Sequence, residues 1–157
     1  MKKLVENYLP NSFVGKRGIL VITKDKYTYE LEEEKEELTA LSRTLGIKII
    51  ETFYVTIPQI NPATFLGKGK LFEIKNFVHQ NNISIFIFEK DLSPVQQRNI
   101  EEILNIKVID RTELILYIFA EHAKSKEGKI QVELAQLTYL LPRLTGHGIA
   151  LSRLGGG

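Results

Sequence analysis

The stretch 67–70 reads GKGK and is the first candidate for chemistry in this chain. Glycines at the start of a helix leave backbone N–H groups free and lysines add positive charge, so the stretch suits an anion such as phosphate. It is not a Walker A loop, because Lys70 is followed by Leu71 instead of Ser or Thr and the required earlier glycine is missing. The pattern therefore predicts either a phosphate contact through Lys68 and Lys70 or a plain flexible loop.

The second candidate is the glycine-rich end of the chain, residues 143–157. Basic and polar side chains alternate there with five glycines, and such a segment could enter a narrow polyanionic space. Composition alone favours the alternative of a flexible linker. The candidate contacts to such a polyanion are then Lys68, Lys70, Arg143, His147, Ser152, Arg153, Gly155, Gly156 and Gly157.

No arrangement of residues in the sequence indicates catalysis. His79, His122 and His147 share no metal-ligand spacing, and the absence of Cys excludes disulfides, thiolate metal sites and a Cys nucleophile. There is no G-x-S-x-G elbow to support a Ser nucleophile. We therefore predict no catalytic residue and no metal site.

Charge and hydropathy restrict the partners further. The net charge is +2, and residues 111–157 carry six basic and four acidic side chains, whereas residues 1–110 carry fifteen of each. This balance disfavours binding of nucleic acid through bulk charge and leaves local phosphate contacts open. No apolar run approaches the ~20 residues of a membrane span, and the N-terminal residues lack the apolar region of a signal peptide. We expect a cytoplasmic protein.

The elements that must position these residues alternate between strand and helix. Ser93 and Pro94 have the types expected at the cap and first position of a helix, and the run at 83–88 is apolar at both parities, as in a buried parallel strand. We predict an α/β domain over residues 1–110, a four-stranded and mainly parallel sheet flanked by helices, with its loops at the carboxyl ends of the strands. The predicted strands are 19–22, 47–57, 83–88 and 106–109.

Residues 111–157 form a second predicted unit, one long amphipathic helix that runs into the glycine-rich end. A seven-residue step of apolar side chains predicts a seam that packs lengthwise on another helix, so this helix should be half of a helical hairpin. No partner helix follows Gly157, and we expect either a frayed arm or self-association through the unpaired seam. Pro142 predicts a kink or an end. The seam consists of Leu116, Ala123, Ile130, Leu137 and Leu144, interleaved with Ala120, Leu134 and Leu141.

Three stretches, in this order, resemble the HflX family of ribosome-binding GTPases. They are NPATFLGKGK at 61–70, LSPVQQRNIEEIL at 92–104, and VIDRTELILYIFAEHAKSKEGKIQVELAQLTYLLPRLTG with its continuation to LSRLGGG at 108–157. The resemblance implies an N-terminal α/β domain and a two-helix arm with a glycine-rich connection that begins at 155–157, followed by a G domain outside this sequence. Tyr117 stands where the family pattern commonly has an acidic residue.

The resemblance also implies a function. Members of the family bind the large ribosomal subunit and its RNA, and they split ribosomes under stress, with the end of the arm reaching toward the peptidyl transferase region. GTP and Mg²⁺ would belong to the missing G domain, so we expect no cofactor and no enzymatic activity in this chain. Two alternatives remain open: a weak ATP-binding or ATPase domain that uses residues 67–70, and a regulatory scaffold that restrains the G domain.

Overall fold

The computed structural model describes residues 13–25 and 27–154, with the backbone alone for residues 144–154. Within these residues four strands and five helices follow one another along the chain. They are β1 (Arg17–Thr23), α1 (Thr28–Thr44), β2 (Lys48–Val55), α2 (Lys68–Gln80), β3 (Ile85–Phe88), α3 (Pro94–Leu104), β4 (Lys107–Ile109), α4 (Arg111–His122) and α5 (Lys126–Leu154).

The four strands form one parallel sheet in the order β2-β1-β3-β4. All four residues of the central strand β3 are buried, because helices cover both faces of the sheet. Its side chains alternate between two cores with the strand period of two: Phe86 and Phe88 belong to one cluster, Ile85 and Ile87 to the other. The predicted α/β architecture with a parallel sheet is confirmed.

Each face of the sheet carries its own apolar core. On one face, α2 and α3 contribute Ile74 and Ile100. On the other face, α1 contributes Leu38, and α4 contributes Leu114 and Tyr117. Helix α4 therefore packs as part of the three-layer body, although it follows residue 110.

The start of α3 follows the sequence rules closely. Ser93 Oγ accepts a hydrogen bond from the backbone N–H of Gln96 at 3.1 Å, and the Gln96 side chain accepts one from the Ser93 N–H at 3.0 Å. Pro94 occupies the first helical position, where its missing N–H costs nothing. The cap predicted at Ser93 is confirmed.

The prediction of one continuous helix from Arg111 was wrong at residues 123–125. Ala123 is extended (φ −69°, ψ 120°) and ends α4, and Ser125 Oγ then accepts a hydrogen bond from the Gly128 N–H at 2.9 Å to start α5. A Cβ on Gly128 would lie 2.8 Å from that Oγ, so glycine permits the cap. Local capping thus interrupts the heptad step, and α5 folds back along α4.

Helix α5 does not end at Pro142, one of the two outcomes that the sequence predicted there. Proline removes the hydrogen bond to the carbonyl of Thr138, and the helix nevertheless continues to Leu154. Gly146 and Gly148, the first two glycines of the predicted glycine-rich end, therefore lie in helical backbone.

Candidate functional site

The crevice between the carboxyl ends of β1 and β3 is where ligands commonly bind in open parallel sheets, because the chain leaves these neighbouring strands in opposite directions. Here the chain's own side chains close it. The buried Glu89 accepts hydrogen bonds from the Thr23 N–H at 3.0 Å and from the Thr23 hydroxyl. Lys90 pairs with Asp25 across the same gap. The crevice is therefore occupied by internal contacts.

Asp110, at the end of β4, gathers donors from several elements and has no exposed surface. Its Oδ1 accepts from the Glu113 N–H at 2.9 Å, which caps α4. Its Oδ2 accepts from the Leu92 N–H at 3.1 Å and from the Tyr139 hydroxyl of α5. Burial raises the pKa of the Asp110 carboxyl, and the hydrogen bonds that it accepts oppose that rise. This carboxylate joins the sheet edge to the arm.

Arg143 completes the cluster around Asp110, with only 11% of its side chain exposed. Its Nη2 donates to the Leu92 carbonyl at 2.5 Å and to the Tyr139 hydroxyl oxygen at 2.8 Å, and it lies 3.5 Å from Asp110 Oδ2. The guanidinium also lies 3.7 Å from the centroid of the Tyr139 ring. Burial, followed by the hydrogen bond to Asp110, raises the pKa of the Tyr139 hydroxyl and keeps it a donor.

The loop that precedes α2 is an ordered turn, which does not favour the plain flexible loop that the sequence left open at residues 67–70. Asn61 and Phe65 exchange backbone hydrogen bonds of 2.8 and 3.1 Å, with the buried Phe65 at a positive φ of 62°. The Gln96 side chain of α3 donates to the Asn61 carbonyl at 3.0 Å. Helix α3 thus holds this loop in place.

Helix α2 begins at Lys68, after Gly67, without a side-chain cap. Lys68 is exposed, whereas Lys70 forms an ion pair with Glu73, with 2.9 Å between Nζ and Oε2. A Cβ on Gly67 or Gly69 would meet no atom within 4 Å, so packing does not require either glycine.

The predicted seam is largely exposed on α5. Leu134 is 64% and Ile130 55% exposed, whereas Leu140, outside the seam, is buried. Between α4 and α5 lies a mainly apolar groove of about 590 Å³. It is lined by Thr112, Leu116, Gln131, Leu134, Ala135, Thr138 and Tyr139.

Two family descriptions match this chain. The N-terminal region of GTP-binding GTPases matches residues 32–120, and the middle region of the same proteins matches residues 122–157. The GTPase HflX of Alkalihalophilus pseudofirmus is 47% identical over 128 residues, which cover 82% of this chain and 30% of that protein. This chain belongs to the HflX family.

Further proteins are similar to this chain over most of its length. The GTPase HflX of Escherichia coli is 38% identical over 146 residues, which cover 91% of this chain and 33% of the relative. A crystal structure of a GTP-binding protein from Sulfolobus solfataricus in complex with GDP matches with a TM-score of 0.62 and 33% identity, over 85% of this chain and 40% of that one. This chain thus spans about a third of the length of its HflX relatives, and the G domain lies outside it.

The candidate RNA contacts fall on two different elements of this HflX N-terminal region. Lys68 and Lys70 open α2, whereas Arg143, His147, Ser152 and Arg153 belong to α5. Arg143 is bound within the chain, through contacts to residues 4 to 51 positions away. Gly155, Gly156 and Gly157 lie outside the described residues.

Sequence reasoning missed the partners of Arg143. The only local signal was the four-residue spacing of Tyr139 and Arg143, which places both on one helix face. Nothing in the sequence pairs that face with Asp110 or Leu92.

Tyr117, the departure from the family pattern, lies in the core, 1% exposed. Its ring packs edge-on against Phe13 with centroids 4.8 Å apart, and its hydroxyl donates to Glu113 Oε2 at 3.3 Å. The buried Glu113 also accepts from Gln97 Nε2 at 3.0 Å and lies 3.5 Å from Lys107 Nζ. Tyr117 therefore serves packing and a buried polar network.

Two kinds of site are not found in the described part of the chain. No group of three or more His, Asp or Glu side chains there could hold a metal ion. None of the helices in residues 13–25 and 27–154 combines the length and the apolarity needed to cross a bilayer.

Proposed function

We propose that this chain is the part of an HflX-type GTPase that binds the large ribosomal subunit through its RNA, and that it takes part in splitting ribosomes under stress. Membership of the HflX family is the observation that carries the proposal. The shape of the chain supports it: α5 is anchored to the body at Arg143 and continues to Leu154, and at 1.5 Å per residue this adds about 16 Å of helix.

The proposed RNA contacts lie at the start of α2 and in the distal part of α5. Lys68 is exposed at the uncapped start of α2, where backbone N–H groups and a lysine together suit a phosphate. His147, Ser152 and Arg153 occupy the distal part of α5, and residues 155–157, all glycine, would allow close approach to RNA. Lys70 is a weaker contact because it already forms an ion pair with Glu73. Arg143 holds the arm and is left out of this set.

The proposed mechanism is mechanical. The body and the arm dock on RNA of the large subunit and wedge the two subunits apart. In this proposal GTP and Mg²⁺ act in a G domain outside the third of the HflX relatives that this chain spans. This partner would place the protein in the cytoplasm.

Sedimentation of the chain with isolated large subunits over a range of salt concentrations tests the proposed contacts. We expect Lys68→Ala and Arg153→Ala each to weaken binding and to lower the slope of log K against log salt by about one. Arg43→Ala is the matched control, because this exposed arginine lies in the last turn of α1, before the start of β2, whereas Lys68 follows the end of β2. Equal salt slopes for all three variants would refute these contacts.

ATP binding at residues 67–70 is the second candidate. The uncapped N-terminus of α2 favours it, whereas the closed crevice between β1 and β3 does not. A titration of the chain with ATP, repeated with Lys68→Ala and Lys70→Ala together, decides the question. Saturable binding that the double variant loses would support ATP binding, and its absence would leave the ribosome proposal as the function.

A further inference from the structure

Pro142 lies inside α5 and interrupts its backbone hydrogen bonding. Pro142 has no N–H to donate to the Thr138 carbonyl, and its ring crowds the preceding turn. Sharp bends in helices occur mostly at such positions. Residues 144–154 follow this point directly, so their direction depends on what holds the helix on either side of the proline.

Two side chains of α5 flank this point and are fastened to the body together. Tyr139, before the proline, donates its hydroxyl hydrogen to Asp110. Arg143, after the proline, donates to the Leu92 carbonyl at 2.5 Å and to the Tyr139 backbone carbonyl at 3.1 Å. The guanidinium also covers the Tyr139 ring at 3.7 Å. The contacts of Arg143 therefore reach across the interruption to the preceding turn and to the sheet edge.

The anchor of these contacts belongs firmly to the body. Asp110 also accepts hydrogen bonds from the N–H groups of Leu92 and Glu113, which tie it to the β3–α3 loop and to the start of α4. If Tyr139 and Arg143 moved away, a buried carboxylate would lose two of its donors, which is costly. The contacts thus resist bending at Pro142.

We propose that Asp110, Tyr139 and Arg143 form a brace across Pro142 that sets the direction of the distal part of α5, residues 144–154. Tyr139 and Arg143 are positioning residues in this arrangement. The brace itself stands on contacts within the chain, whereas its use in aiming the arm at the large subunit rests on the proposed function. Without the brace, the distal part would pivot at the proline while the proximal part stayed packed on α4.

Distances between spin labels test the brace directly. The chain has no Cys, so a pair of labels can be placed at two chosen positions. The exposed Asn76→Cys in α2 marks the body, Ser152→Cys the distal helix and the exposed Glu133→Cys the proximal helix. We expect Arg143→Leu to broaden the 76–152 distance distribution about twofold and to leave the 76–133 distribution unchanged. Adding Pro142→Ala to Arg143→Leu should narrow the 76–152 distribution again, because the backbone ladder is restored.

A second variant guards against misfolding. Tyr139→Phe keeps the ring under the guanidinium and removes only the hydroxyl, so it should broaden the 76–152 distribution less than Arg143→Leu does. Circular dichroism should show the same helix content for all variants. An unchanged 76–152 distribution in Arg143→Leu would overturn the proposal. Broadening of both distributions without rescue by Pro142→Ala would also overturn it, because Arg143 would then only dock the helix.

The same variants separate the brace from the proposed function, since the distances are measured without ribosomes. If the distances behave as expected, Arg143→Leu should bind large subunits more weakly than the unaltered chain, and the added Pro142→Ala should restore binding. If the unaltered chain binds no large subunits, the proposed function fails and the brace stands. If Arg143→Leu broadens the distances but binds large subunits as strongly as the unaltered chain, the role of the brace in aiming the arm is refuted.

Discussion

The hydroxyl of Tyr139 donates to the carboxylate of Asp110, 29 positions earlier in the chain. One residue ends the last strand of the sheet and the other lies in the arm helix, so this hydrogen bond connects the α/β body to the arm. Because Asp110 is fully buried and also caps α4, the body cannot release the arm without exposing or unpairing this carboxylate.

Replacement of Asp110 should destabilise the whole chain. Asp110→Ala removes the cap of α4 and leaves the Leu92 N–H and the Tyr139 hydroxyl without their acceptor, and we expect a loss of about 2–4 kcal/mol in the free energy of unfolding. Urea denaturation measures it. The exposed Glu36→Ala is the control, expected within about 0.5 kcal/mol of the unaltered chain. An Asp110→Ala effect as small as the control's would contradict this role.

The stability of the chain should fall as pH rises toward neutrality. Burial, and to a smaller extent the negative charge of Glu113, raise the pKa of Glu101 from 4.5 to about 7. The positive charge of Lys107 opposes this rise. The unfolded chain releases this proton first, so the contribution of Glu101 is complete below pH 4.5 and is lost between pH 4.5 and about 7. The loss is at most about 3.5 kcal/mol, since the shift is about 2.5 pKa units and each unit corresponds to about 1.4 kcal/mol.

Glu101→Gln tests that dependence. The amide cannot ionise, so the difference in unfolding free energy between about pH 5 and pH 8 should shrink. Glu102→Gln, at the exposed neighbouring position, should leave the difference as it is. Equal pH dependence in both variants would show that another group causes it.

Replacement by alanine should change the stability of the chain in opposite directions at two glycines that lie near the starts of helices. Gly128→Ala puts a Cβ 2.8 Å from Ser125 Oγ and disturbs the cap of α5, which should cost about 1 kcal/mol. Gly69→Ala meets no atom within 4 Å in α2 and should stabilise the chain by about 0.5–1 kcal/mol. Thermal unfolding of both variants checks the signs, and a stabilising Gly128→Ala would refute the steric argument.

The exposed side chains of the seam predict self-association of the isolated chain. Ile130 and Leu134, four residues apart and more than half exposed, form an apolar strip on one face of α5. Sedimentation equilibrium should show a concentration-dependent dimer, and Leu134→Gln should weaken it. Glu133→Gln, at an exposed polar position of the same helix, is the control. A monomer at all concentrations would contradict this prediction.

The body could be predicted from the sequence because its signals are local. The apolar run at Ile85–Phe88 and the Ser93–Pro94 pair each depend on near neighbours in the chain, and both have the structure that the sequence indicated. The break at Ala123 was missed because the seven-residue step continues across it, whereas the cap at Ser125 depends on one hydrogen bond to Gly128.

The contacts around Asp110 could not be predicted for a different physical reason. The contacts of Tyr139 and Arg143 with Asp110 join residues 29 and 33 positions apart, and they form only once α5 has folded back along α4. Arg143 was therefore assigned to RNA from its charge and its glycine-rich surroundings alone. Contacts of Lys68, His147, Ser152 and Arg153 with RNA remain predictions.

Comparison of the two isolated ribosomal subunits tests the central proposal most directly. The chain is mixed with purified large or small subunits at moderate salt, and the pelleted fraction is measured after sedimentation. We predict saturable binding to large subunits that weakens with added salt, and little binding to small subunits. Equal binding to both subunits, or none to the large one, would contradict the proposal that this HflX region docks on the large subunit.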